Sequence, residues 1–174
     1  MFEIILATMI LLVVTLLLYA STKPDTFRLQ RSTTISAPAD KVLPFINDFH
    51  SWPSWSSWEM LDPQLKRSYG GAPQGKGARY DWDGNSTVGT GSMEIMEAAS
   101  SKIKVKIDFF KPFEAHNFAE FTLEPQGNTT TVIWALYGPQ SLSMKVIGLC
   151  CSPEHTVGAQ FETSLDNLKA LAEQ

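Results

Sequence analysis

Apolar positions divide the chain into two unequal parts. Ile4 to Ala20 is an unbroken apolar run, IILATMILLVVTLLLYA, with Thr8 and Thr15 as its only aliphatic hydroxyls. As a helix it spans about 25 Å, slightly under the ~30 Å hydrocarbon core of a bilayer. Ser21 and Thr22 extend it, and Pro24 stops it. The run predicts a transmembrane helix over residues 1–22 followed by one domain over residues 23–174. An anchor is favoured over a cleaved signal. No Lys or Arg precedes the run, it is longer than a usual signal core, and Tyr19-Ala20-Ser21 is a poor cleavage site. Lys23, Arg28 and Arg31 follow the run and only Glu3 precedes it, so the positive-inside rule predicts a single-pass protein with its domain in the cytoplasm.

Beyond the run the pattern alternates. Phe27 to Ile35 predicts a strand, and Ala37-Pro38 opens a helix whose apolar face is Val42, Phe45, Ile46 and Phe49. Pro44 inside that helix removes a hydrogen bond, at a cost of about 3 kcal/mol. The segment HSWPSWSSW, residues 50–58, predicts a short irregular helix or turn. Two weaker strands follow near Leu65 to Tyr69 and Ala78 to Trp82, joined by the glycine-rich GGAPQGKG, which lacks the ending of a phosphate loop. From Val88 onward the chain reads as antiparallel strands. Ile103, Val105, Ile107 and Phe109 share one face, and Lys102, Lys104, Lys106 and Asp108 the other. Asn117, Ala119, Phe121 and Leu123 share a parity, as do Val132, Trp134 and Leu136. Leu142 to Cys151 predicts a short helix. Ser152 is placed as the cap and Pro153 as the first residue of a long helix with Val157, Phe161, Leu165, Leu168 and Ala172 on one face.

This order predicts an α+β fold, a curved antiparallel sheet of about seven strands wrapped on the last helix. Such a sheet needs a cover, and the gap beneath the cover is a natural cavity. Composition narrows the function. Net charge is −4 with no clustered basic face, which excludes a nucleic-acid footprint. Five Trp are available to pack a core or line an apolar cavity. His50, His116 and His155 share no metal-ligand spacing, so neither a metal nor a cofactor is expected. Cys150 and Cys151 are adjacent, too close for an intramolecular bridge. They read as small apolar residues or as palmitoylation sites.

The segments Ile35-Ser-Ala-Pro38-Ala-Asp-Lys-Val42, Phe45-Ile-Asn-Asp48-Phe49 and Trp52-Pro-Ser-Trp55-Ser resemble the opening of START-like (SRPBCC) proteins. The nearest branch is the polyketide cyclase/dehydrase-like group. The resemblance continues through Lys76-Gly77, Phe113-Glu-Ala-His116-Asn, Phe121-Thr-Leu-Glu124-Pro and the final helix, over about residues 27–172. It implies a helix-grip fold with a hydrophobic cavity. Members include lipid carriers, hormone binders and some enzymes, so chemistry must be argued from the site.

The resulting expectation is a membrane-tethered domain, held through residues 4–20, that binds a hydrophobic small molecule or lipid. The candidate ligand-binding residues are Trp55, Trp58, Tyr80, Trp82, Ile107, Phe109, Asn117, Phe121, Trp134, Leu136 and Phe161. Trp52, Trp55 and Trp58, spaced by three, read as an aromatic wall at the mouth, as a belt near the bilayer surface or as a packed cap on the sheet edge. Asn117 shares an apolar face and needs partners, from a ligand headgroup or an adjacent loop. Arg31 shares the parity of Phe27, Leu29 and Ile35; it reads either as a partner for a ligand carboxylate inside or, the favoured expectation, as exposed by a bulge or strand end. His116 is expected to face solvent. Tyr80 is a possible acid without a visible partner base. The glycine-rich loop at 70–77 is a candidate lid. Asn85-Ser-Thr87 and Asn128-Thr-Thr130 match glycosylation sequons at turns. Two other classes stay open. A cyclase/dehydrase enzyme predicts a polar pair inside the cavity, and a protein-interaction module predicts a collapsed one.

Overall fold

A computed structural model describes residues 1–150 and 153–174. Expectations at Cys151 and Ser152, and for the side chains of Cys150 and His155, lie outside the described residues. The apolar run forms helix α1, Phe2–Ser21. Strand β1, Thr26–Ile35, leads into helix α2, Ala39–Asn47. Pro44 sits within α2 without ending it, and Val42 and Ile46 are fully buried. The Trp-rich segment forms two 3-10 turns, Phe49–Ser54 and Ser57–Met60. Strands β2, Lys66–Gly71, β3, Ala78–Asp83, β4, Thr90–Ala99, β5, Lys102–Lys111, β6, Ala115–Gln126, and β7, Thr129–Pro139, follow. Helices α3, Leu142–Cys150, and α4, Pro153–Ala172, complete the order.

The seven strands form one antiparallel curved sheet in the order β1-β7-β6-β5-β4-β3-β2. β1 and β2 are therefore its opposite edges, and the chain between them, α2 and the 3-10 turns, crosses one face. That face is the buried one. Tyr80 and Trp82 on β3, Ile103, Val105 and Ile107 on β5, and Ala119, Phe121 and Leu123 on β6 are buried, while their neighbours in sequence meet water to varying degrees. The period of two thus decides which side α4 covers. Phe161, Leu165, Leu168 and Ala172 of α4 enter the same core.

Two irregularities shape the sheet. Ile95 pairs with Val105 and Glu97 with Lys104, which leaves Met96 as an extra residue on β4. Gly91 pairs with Phe109 and Thr90 with Lys111, which leaves Phe110 as an extra residue on β5. Such bulges bend a strand and re-aim its side chains. Phe109 keeps the inward direction of Ile107, while Phe110 is 54% exposed.

Arg31 corrects the sequence expectation, because neither a bulge nor a strand end exposes it. It stays on the inner side of β1 and reaches α4, where its Nη1 meets Glu154 Oε1 at 2.8 Å and its Nε meets Glu162 Oε1 at 2.6 Å. Gly158 lies directly under the guanidinium; a Cβ there would come within 2.4 Å of Arg31 Nη2. The two carboxylates raise the Arg31 pKa, so it is a clamp between strand and helix.

The loop proposed as a lid is also displaced from the cavity. Gly75 donates to the Asn47 carbonyl at 2.9 Å and Gly77 to the Ile95 carbonyl at 2.8 Å. These backbone bonds fix residues 72–77 against α2 and β4, at the far end of the sheet from the cavity opening.

Candidate ligand cavity

Between the sheet and α4 lies a cavity of about 240 Å³. Trp58, Tyr80, Trp82, Ile107, Phe109, Trp134, Leu136 and Phe161 of the sequence-derived set line it, brought together from one 3-10 turn, three strands and α4. Trp52, Leu65, Val88, Met93 and Val157 add to its apolar wall. The most exposed lining residues are Thr87, Lys111 and Pro112, in the β3–β4 and β5–β6 connections, so the opening lies there.

Three of the sequence-derived residues stand elsewhere. Trp55 is fully buried behind the wall, its indole N–H donating to the Phe45 carbonyl at 2.9 Å. Its ring stands edge-on to Phe121 and Trp134. Phe121 is also fully buried, stacked on Trp134 at 4.9 Å, and supports the wall from behind. Asn117 is 8% exposed and packs beneath Gly138, where a Cβ would meet its Oδ1 at 2.2 Å; it does not reach the cavity. The even spacing of the three Trp is misleading because the segment is two separate turns. Trp52 and Trp58 reach the cavity, and Trp55 between them packs into the core.

The wall is held rigidly. Trp134 stacks on Phe161 with centroids 3.8 Å apart, joining β7 to α4. Trp82 meets Phe109 edge-on at 5.5 Å. Gly91 permits this: a Cβ there would lie 2.4 Å from the Trp82 ring. The Trp-rich segment is stitched to α4 by Ser57, whose N–H donates to Ser164 Oγ at 2.9 Å, and by Asn167, which donates to the Trp55 carbonyl at 3.1 Å.

One polar spot interrupts the apolar wall, and sequence reading missed most of it. Glu59, 8% exposed, lines the cavity beside Tyr80. The Tyr80 hydroxyl donates to Glu59 Oε1 at 2.6 Å, and Arg67 Nε donates to Glu59 Oε2 at 2.6 Å. Tyr80 is therefore not the isolated phenol that its strand position suggested. Burial, then the Glu59 carboxylate, push its pKa well above the ordinary phenol value. The phenol stays protonated with its proton committed to Glu59, which argues against Tyr80 as a general acid. Arg67, exposed at the β2 edge, is raised by the same carboxylate and balances its charge. Trp134 Nε1 is buried without a hydrogen-bond partner.

The remaining polar candidates serve the fold. His116 is exposed, as expected, and its Nδ1 lies 2.7 Å from Asp108 Oδ1. The Asn85 Oδ1 accepts from the backbone N–H groups of Thr87 and Val88 at 2.9 and 3.2 Å, closing the β3–β4 turn. Among the described residues no three His, Cys, Asp or Glu side chains are grouped to hold a metal.

A family model described as polyketide cyclase / dehydrase and lipid transport matches residues 26–173. No curated protein matches the chain significantly. Among solved structures, the di-domain ARO/CYC StfQ from the steffimycin biosynthetic pathway is similar with a TM-score of 0.63 at 12% identity, covering 85% of this chain and 51% of its own. The Zhui aromatase/cyclase from Streptomyces sp. R1128 is similar with a TM-score of 0.60 at 12% identity, covering 85% and 94%. Protein CV1439 from Chromobacterium violaceum is similar with a TM-score of 0.59 at 17% identity, covering 87% and 99%. At these identities the likeness concerns the fold.

Proposed function

The chain belongs to the polyketide cyclase / dehydrase and lipid transport family, and we propose that it is a membrane-tethered domain, residues 23–174, binding a hydrophobic small molecule or lipid. The supporting observation is the cavity itself. Four of the five Trp line a space whose wall is apolar apart from Ser56, Glu59, Thr87, Lys111 and the Tyr80 hydroxyl. Burying an apolar ligand there gains about 25 cal/mol per Å² removed from water. A packed-solid interior would have favoured a protein-docking module instead. The tether reading is supported by α1, whose side chains are almost all exposed and apolar over its full length.

The polar spot supports a reading of the ligand's functional group. The Tyr80 proton is given to Glu59, and Arg67 Nε is given to the same carboxylate. At this spot acceptor capacity remains on Glu59 and Tyr80, which supports a hydroxyl-bearing ligand. The test is titration of sterol, isoprenoid and polycyclic phenol panels into the full chain in nanodiscs, read by intrinsic fluorescence and by added mass in native mass spectrometry. Trp134→Ala should weaken binding about tenfold or more, equivalent to at least ~1.4 kcal/mol. Lys104→Ala should leave binding unchanged, because Lys104 lies on the outer face over the Phe118 ring. No fluorescence response and no bound mass would overturn the binding reading.

The Glu59–Tyr80 pair also supports a second reading, a cyclase/dehydrase-type enzyme. In it, the Glu59 carboxylate takes a proton from the bound substrate. Glu59→Gln separates the two. Loss of turnover with retained binding favours the enzyme, whereas weakened binding of hydroxylated ligands favours the binder.

A further inference from the structure

We infer that the end of the domain from which α1 emerges is seated in the headgroup layer of a phospholipid bilayer, with the cavity mouth opening onto the lipid. This rests on the reading of α1 as a membrane span.

The strand register gathers particular loops at one end. Thr26 lies opposite Pro139, Phe109 opposite Ala115, Thr90 opposite Lys111, and Lys66 opposite Asp83. The start of β1, the β3–β4 and β5–β6 connections and the entry to α3 therefore share an end. Residues 22–25 join α1 to β1, a link of at most about 14 Å. A spanning α1 thus holds this end, and no other, against the membrane surface. The exposed lining residues Thr87, Lys111 and Pro112 belong to it, so the mouth faces the same way.

Exposed apolar side chains are concentrated there. Met60, Phe110, Phe113, Leu142, Met144 and Ile147 are 40–63% exposed. Met60 belongs to this end because Asn85 of the β3–β4 connection donates to the Leu61 carbonyl beside it. Beyond residues 1–21, only Tyr69 and Met96 among the described large apolar residues are comparably exposed elsewhere. Such clustering marks an interaction surface rather than scattered exposure. Two features go further. Phe110, the unpaired residue of the β5 bulge, is exposed on the outer face at this rim. Helix α3 is inverted for a helix in water: Lys145 is 6% exposed and reaches Asp25 at 2.6 Å, while Leu142, Met144 and Ile147 face outward. An outward apolar face suits the interfacial zone of a bilayer. The occupant is lipid rather than another protein because the span anchors this end and α3 packs against α1. Asp25, Asp83 and Glu114 share this end with Lys23 and Lys111, so the surface is not a polybasic one and anionic lipid is not required.

The test is photolabelling of the full chain reconstituted in palmitoyl-oleoyl phosphatidylcholine vesicles containing a phosphatidylcholine with a diazirine on its acyl chain. Adducts are mapped by peptide mass spectrometry. Adducts at 110–113 and 142–147 as well as within 4–20, with Tyr69 and Met96 unlabelled, support the seating. Adducts confined to 4–20 overturn it and leave the tether standing, and a protein partner or second copy then becomes the occupant. An unlabelled α1 overturns the span and the seating together. Uniform labelling that includes Tyr69 and Met96 also overturns the seating.

Discussion

At the scale of single residues, the informative group is a carboxylate buried in an apolar wall. Glu59 is accommodated because both oxygens accept charge-assisted hydrogen bonds, from Tyr80 and from Arg67. Removing one donor leaves Glu59 undersatisfied, so Tyr80→Phe should lower stability by about 1–3 kcal/mol at neutral pH, measured by denaturant titration. The same phenol sets an alkaline limb. Its folded pKa lies above its unfolded value of about 10, so its contribution is intact below pH 10 and is lost as pH rises beyond it. Tyr80→Phe should flatten that limb. Tyr69, whose phenol is also raised by burial, should leave a residual slope. An unchanged alkaline profile in the variant would rule out the assigned Tyr80 environment.

At the scale of elements, the strands and α4 were legible in the sequence, and the Trp-rich segment was only partly so. The alternation in 102–109 and the three-and-four spacing from Val157 to Ala172 state directly which side chains face inward. Eight of the eleven candidate residues accordingly meet in one cavity. The Trp-rich segment has no such period. Its two turns break between Ser54 and Ser57, so equal spacing does not mean a shared direction. Glu59 was missed for the same reason: its partner Tyr80 is distant in sequence, and no strand parity links a turn residue to a strand. Asn117 and Arg31 share the parity of buried neighbours, but parity chooses a side of the sheet and not a position along it, so it did not tell which groups each would meet. The distinction between wall and support is measurable. Trp55→Ala should cost about 3–5 kcal/mol of stability, as a fully buried aromatic. Trp58→Ala, at the half-buried cavity wall, should cost much less stability and mainly weaken ligand binding. Comparable destabilisation by both would reject the assignment. Gly91→Ala should displace Trp82 by steric overlap, destabilising by roughly 1–3 kcal/mol, visible as a lowered denaturation midpoint.

At the scale of the whole molecule, α4 does two jobs through different contacts. Its apolar face closes the cavity with Val157 and Phe161, and its acidic face grips Arg31 on the edge strand β1. Arg31→Met should loosen the helix at its N-terminal half, where the cavity lies, before its C-terminal half. Hydrogen exchange should rise first around Phe161, because Lys169 and Glu173 still bind the β1 end through Thr34 and Ser36. Uniform exchange along α4 would mean that the clamp is not local.

The link between α1 and β1, only residues 22–25 long, has a consequence for how occupancy must be counted. With α1 in a bilayer and the mouth above it, the ligand is sampled from a film, not from a volume. The governing variable is then the number of ligand molecules per phospholipid. Adding buffer should leave the bound fraction unchanged, whereas adding empty vesicles able to exchange ligand should lower it in proportion to the lipid they bring.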